Sequence, residues 1–168
     1  MFVPFVHLVP YAIDHGIPQS SAVLLMAAIG IGSTSGRFFL GGLADGLGRA
    51  LSLVMMVVGM ALAFLVWAMS ASFWPLAAFA FAFGLFYGGW VALVPAVVAD
   101  YFGARNLGTL IGVISMCIAF GTLIGPSTAG FAFDLNHSYT LPIVASIVAY
   151  VIAAVILARA SRPHAPAL

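Results

Sequence analysis

The sequence predicts an all-α membrane protein, a six-transmembrane-helix bundle built as a 3+3 inverted repeat. Three observations predict it. The 168 residues are 64% apolar and only 5% charged, whereas a soluble domain carries about 25% Asp, Glu, Lys and Arg. Six apolar runs are separated by short polar breaks, and lipid leaves the backbone of such runs no partner but itself, which helices satisfy. A glycine and aspartate pattern in the second run recurs in the fifth.

The first run, 1–13, rises only about 20 Å at 1.5 Å per residue, short of a hydrocarbon core about 30 Å thick. It lacks a basic leading region and carries Pro4, His7 and Pro10, so it does not read as a signal peptide. It is expected to begin inside a helix, as the start of a fragment. Asp14, His15, Gly16 and Pro18 break the chain before the second run, 21–40. The segment GGLADGLGR at 41–49 is the next turn, leading to the third run, 51–69. Residues 70–72 form the shortest break. The fourth run, 73–99, contains Gly84, Gly88 and Gly89, read as packing or hinge positions. After a polar break at 100–106 comes the fifth run, 107–133. Asp134, Asn136 and His137 then precede the sixth, 139–158. Pro95 and Pro126 are expected to break the fourth and fifth helices.

Alternating sides place Arg49, Arg105, Arg159 and Arg162 together and leave the other side without Arg or Lys. The positive-inside rule makes the arginine side cytoplasmic, with both ends of the chain there. Asp14, His15, Asp134 and His137 fall outside, the exposed histidines and the tail His164 being read as solvated. Arg37 is the one formal charge within a run.

Gly32, Gly36, Gly41 and Asp45 each recur 89 residues later as Gly121, Gly125, Gly130 and Asp134. The runs that carry them are second in two successive sets of three. An odd number of spans per set reverses the direction of the second, which is the inverted repeat of secondary transporters. Small residues recurring in packed membrane helices are the alternative reading.

Whole classes of function drop out. Five cations, all arginine and scattered, do not make a phosphate-binding surface, so no nucleic-acid partner is expected. Cys117 is the only cysteine; it is expected buried as a small apolar side chain, and no His/Cys cluster for a metal accompanies it. Neither HExxH nor GxSxG occurs, and the aspartates sit at run boundaries, which argues against an enzyme or a bound cofactor.

The segment GGLADGLGRA resembles the cytoplasmic-loop motif of the major facilitator superfamily, Gly-x3-Asp-Arg-x-Gly-Arg-Arg. Gly42, Asp45, Gly48 and Arg49 match it, while Gly46 and Ala50 stand where the motif prefers basic residues. The stretches PFVHLVPYAIDHGI, GIGSTSGR, DYFGARNLGTLIG and FGTLIGPSTAGFAFD resemble the bacterial members of its monocarboxylate transporter and oxalate:formate antiporter branch. The resemblance covers essentially the whole chain. It implies helices seven to twelve, the C-terminal half of a twelve-helix transporter whose N-terminal half is absent here, in a bacterial inner membrane. The matched loop resembles a latch that biases one conformation; otherwise it is a polar turn.

An arginine within a span is costly unless it faces protein or water, and its planar fork suits a carboxylate. In the resembled pattern the eighth-helix arginine anchors the substrate carboxylate, and Arg37 stands at that position; snorkelling to the interface is its other reading. Ser33, one turn earlier, is a substrate hydroxyl contact or a packing residue. It stands where animal monocarboxylate transporters have Asp, and Ser carries no proton at neutral pH. His7 is the remaining proton-carrier candidate, or a histidine bonded to a neighbouring helix. Tyr87 contacts substrate or fills space with an internal partner, and Trp90 is a further wall candidate. The expected function is alternating-access transport of a small monocarboxylate such as lactate or pyruvate with protons. The alternatives are oxalate:formate-type exchange and a non-transporting fragment.

Overall fold

The computed structural model describes residues 2–160. Met1, Arg162 and His164 lie outside the described residues. Six α-helices follow in order: α1 (Val3–Asp14), α2 (Gln19–Leu47), α3 (Arg49–Ala68), α4 (Phe73–Phe102), α5 (Leu107–Asn136) and α6 (Thr140–Ala160), with a short 3-10 turn at Ala104–Asn106 before α5. No strand occurs among the described residues. All but α1 are long and apolar enough to cross a membrane.

The helices outrun the apolar runs. Asp45 lies inside α2, Asp100 inside α4, and Asp134 and Asn136 inside α5. Hydropathy marks the thickness of the hydrocarbon layer, whereas a helix continues into the headgroup region because its hydrogen bonds remain internal. The turn expected over 41–49 therefore contracts to Gly48, whose φ of +90° only glycine adopts without strain; Gly103, at +75°, similarly follows α4. Gly42 is a helical residue and makes no turn.

Neither Pro95 nor Pro126 ends its helix, correcting the expected breaks. Around Pro126, Thr122, Ser127 and Thr128 return their hydroxyls to carbonyls of α5 at 2.6–2.9 Å.

Neighbouring residues fix the helix directions. Along the α2/α4 contact, Gly84 meets Ile29 and Gly88 meets Ser33, both numbers rising together, so the helices run parallel. On α3, Met56 meets Gly89 and Gly59 meets Phe86, so α3 is antiparallel to α4. The ends of α1, α3 and α5 meet the start of α6 through Tyr11, Trp67, Phe133 and Tyr139. This alternation makes the direction of α4–α6 the reverse of α1–α3, as an inverted repeat requires. Arg49, Asp45 and Asp100 share one face, and Asp14 and His137 the other.

The core joins α3, α4 and α6 through Phe64, Trp67, Phe79, Phe83 and Tyr150, all at most 4% exposed. The two units differ in how they use the repeated glycines. A Cβ on Gly32 or Gly36 would strike the backbone of α4. One on Gly121 or Gly125 would meet nothing within 4 Å, and one on Gly130 only the His7 ring at 3.7 Å. Of α5, only Ala129 is buried. Cys117 on α5 is exposed, contrary to expectation, because no other described helix covers that face.

Candidate functional site

Four glycines place the site. Gly32 and Gly36 of α2 and Gly84 and Gly88 of α4 bring the two helices into backbone contact, Gly36 against the Leu85 carbonyl and Gly88 against that of Ser33. Without side chains between them, helices pack at the closest separation that their backbones permit. This contact sets Ser33 beside the residue that follows Tyr87. Arg37, one turn beyond Ser33 on the same face of α2, lies within electrostatic reach of the Tyr87 hydroxyl.

Arg37 is exposed, while Ser33 and Tyr87 are half-buried. Arg37 has no carboxylate partner among the described residues. Its guanidinium therefore presents free donors on a helix packed against that of Tyr87. Aromatic rings surround Tyr87: Phe83 at 6.0 Å, Trp90 at 6.4 Å, Phe5 of α1 at 5.5 Å and Phe2, just before α1, at 6.3 Å. Trp90, a wall candidate, stacks on Tyr87. Arg37 lies eight residues before Asp45, about 12 Å of helical rise, well inside the charged layer at that end of the bundle.

His7 is placed elsewhere. Its Nε2 is 3.0 Å from the Pro126 carbonyl of α5, and a carbonyl only accepts, so Nε2 carries the hydrogen. The remaining nitrogen, Nδ1, is the one at which a further proton could add. Phe5 faces Tyr87 while His7, two residues on, faces α5, so the structure brings Arg37, Ser33 and Tyr87 together and leaves His7 on another seam.

The loop-motif residues form a separate charged cluster. Arg49 Nη1 donates to both carboxylate oxygens of Asp100 at 2.9 and 3.2 Å, and its Nε lies 3.7 Å from Asp45. An arginine opening a helix is disfavoured by the helix dipole, and the two carboxylates offset this. Together they tie the ends of α2 and α4 to the start of α3. Gly48 makes the turn, whereas Gly42 touches nothing within 4 Å of its absent Cβ. Sequence reasoning missed Asp100 as a partner. The available signal was an acid on the same side as Arg49 at the end of a neighbouring span.

The opposite face holds a cavity of about 410 Å³ lined by Tyr11, Asp14, His15, His137 and Tyr139, among others. Tyr139 donates to Asp14 at 3.1 Å, and burial first, then this bond, push its pKa up to about 12. His15 is not simply solvated: it stacks on Tyr11 at 4.1 Å and its Nδ1 donates to the Tyr11 carbonyl at 2.8 Å.

Comparison with known proteins follows the same line. Residues 1–168 match the Major Facilitator Superfamily. Monocarboxylate transporter 12-B of Danio rerio is 34% identical over 144 residues, 82% of this chain and 30% of that protein. Monocarboxylate transporter 3 of Rattus norvegicus is 35% identical over 148 residues, 84% and 30%. Monocarboxylate transporter 11 of Homo sapiens is 31% identical over 148, 83% and 31%. The chain spans about a third of the length of these relatives.

Proposed function

The chain belongs to the Major Facilitator Superfamily, an integral membrane family, and on that premise we propose that it is the carboxylate-binding half of a secondary transporter. The substrate is a small monocarboxylate of the lactate or pyruvate kind. The observation that carries this reading is Arg37, an intramembrane guanidinium without an acidic partner among the described residues, on a helix that the glycine contact packs against the helix of Tyr87. A carboxylate accepts two parallel hydrogen bonds from such a fork. Ser33 and Tyr87 orient the rest of the substrate. The names and 31–35% identities of the relatives support the same substrate class.

The activity needs an opposing six-helix half, since alternating access moves one bundle against another around a central site. The arginine-bearing face is cytoplasmic by the positive-inside rule, with both ends of the chain on that side; the stretches resembling bacterial transporters favour a bacterial inner membrane. Protons are the coupling ions in this reading, taken up at His7 Nδ1. A dicarboxylate exchanger ideally meets two intramembrane cations, and the described spans offer Arg37 alone, so proton symport is the stronger reading. Reconstituted with its opposing half, the transporter is expected to accumulate labelled lactate when the outside is acid. Equal uptake without a proton gradient, together with rapid counterflow from oxalate-loaded vesicles, would point to exchange instead.

Arg49, Asp45 and Asp100 act in this scheme as the latch. Their side chains are 42–71% exposed, so the pairs contribute about 0.2–1 kcal/mol each. That is too little to hold the fold and enough to shift a balance between two access states several-fold. Arg49→Ala is therefore expected to alter maximal uptake several-fold with KM nearly unchanged and thermal stability within about 1 kcal/mol. A rise in KM as large as the change in rate would remove the latch role.

A further inference from the structure

On the face opposite Arg49, the cavity of about 410 Å³ has a floor of three packed rings. Tyr139 is at their centre: its ring stacks on Phe133 at 4.3 Å and meets Tyr11 edge-on at 5.3 Å, and all three residues line the cavity. Two hydrogen bonds pin this floor. Tyr139 donates to Asp14 at 3.1 Å, and Tyr11 to the Ser70 carbonyl at 2.7 Å. With its pKa pushed up to about 12, chiefly by burial, Tyr139 keeps its O–H at physiological pH and remains the donor.

His7 lies beneath the floor and does not line the cavity. It precedes Tyr11 by one turn on α1, and a Cβ on Gly130, about one turn before Phe133 on α5, would stand 3.7 Å from its Cε1. Its ring faces that of Tyr139 at 6.2 Å. A cavity bearing the Asp14 carboxylate and the imidazoles of His15 and His137 thus stops one aromatic ring short of the intramembrane histidine. Tyr139 itself sits in the link between α5 and α6, outside either helix, so its side chain is held by its bond to Asp14 and its ring neighbours and not by a helical turn.

We propose that this cavity is the entrance through which outside protons reach His7, and that the Tyr139 ring, latched by Asp14, is its gate. With the ring swung aside, a hydronium ion hands its proton to Nδ1. One O–H bond breaks, one N–H bond forms, and the imidazolium goes on donating through Nε2 to the Pro126 carbonyl. With the ring latched, His7 is closed to the outside, and a coupled carrier needs its proton site open to one side at a time. The inference rests on the reading of His7 as the proton carrier.

Tyr139→Phe keeps the ring and loses the latch, and Asp14→Ala removes the same bond from the other end. Both are tested in the complete transporter, reconstituted in vesicles with a pH-sensitive dye inside and no substrate. After an acid pulse outside, each is expected to acidify the lumen about three- to tenfold faster than the wild type, the worth of one hydrogen bond, because an open gate joins His7 to both sides whenever the inner path is open. The double variant should leak no more than either single one, since both remove one bond. Adding His7→Gln should return the leak to the wild-type rate. Tight vesicles from both folded single variants overturn the inference, and so does a leak that His7→Gln leaves unchanged. Loss of proton-driven lactate accumulation in His7→Gln, with Tyr139→Phe vesicles tight, defeats this inference alone; undiminished accumulation in His7→Gln defeats the reading beneath it.

Discussion

Arg37→Ala is expected to lower lactate uptake at subsaturating substrate by about a hundredfold or more. The guanidinium is the one formal charge in the interior of the described spans, and no carboxylate among the described residues pairs with it. Its donors are thus available to substrate, and removing one member of a desolvated charge pair costs about 2–5 kcal/mol. Arg37→Lys separates two contributions. It keeps the charge and loses the planar fork, so intermediate uptake would assign part of the effect to geometry and part to charge. If both variants transported at the wild-type rate with normal abundance, Arg37 would be a snorkelling surface residue, and the exposed Phe38 and Phe39 beside it would be lipid contacts and nothing more.

Gly36→Val is expected to prevent correct folding. The first added carbon already collides with the Leu85 carbonyl oxygen, and it comes within 2.8 Å of the carbonyl carbon and 3.0 Å of the Gly89 nitrogen. The obstacle is helical backbone, which has no rotamer through which to yield. Overfilling a packed site costs about 1–3 kcal/mol when side chains absorb it, and more here, because α2 and α4 must separate along their whole contact. Gly42→Val at the end of the same helix is the control, with no atom within 4 Å. Monodisperse yield and thermal midpoint in detergent distinguish the two: Gly36→Val should lose most of both and Gly42→Val little. Equal behaviour would mean that the helices are not held in backbone contact.

The number, order and alternation of the helices were legible because hydropathy and polar breaks report the lipid boundary directly. Their ends were not. Asp45, Asp100 and Asn136 look like loop residues, yet the backbone stays helical through each until a positive-φ residue, Gly48, Gly103 or His137, follows. The same glycine pattern at 32–45 and 121–134 predicted symmetry, and the sequence repeats it faithfully. Packing does not, since a glycine is close-packed only where a second helix supplies the facing surface, and α4 does this for α2 while α5 is left open.

Arg37, Ser33 and Tyr87 were singled out as candidates from residue type, depth and the family resemblance. Their proximity depends on which glycines meet across α2 and α4, and that pairing is invisible in one dimension. His7 shows the limit from the other side. An intramembrane imidazole announces itself, but only the helical phase of α1, with Phe5 toward Tyr87 and His7 toward Pro126, decides which neighbour it serves. Asp100 and Tyr139 went unnoticed because an acid at a span end and a tyrosine opening an apolar run are both ordinary until their partners are known.

The backbone contact between α2 and α4 also has a mechanical consequence. Most helix pairs slide on side chains that can switch rotamers, which gives the joint some slack. Here Gly32, Gly36, Gly84 and Gly88 leave none, so the pair moves as one stiff beam. Arg37 and Tyr87 ride on its shaft, while Asp45 and Asp100, clasped by Arg49, sit at its tip about 12 Å further along α2. Between the two helices there is no layer of side chains to absorb a tilt imposed at the tip.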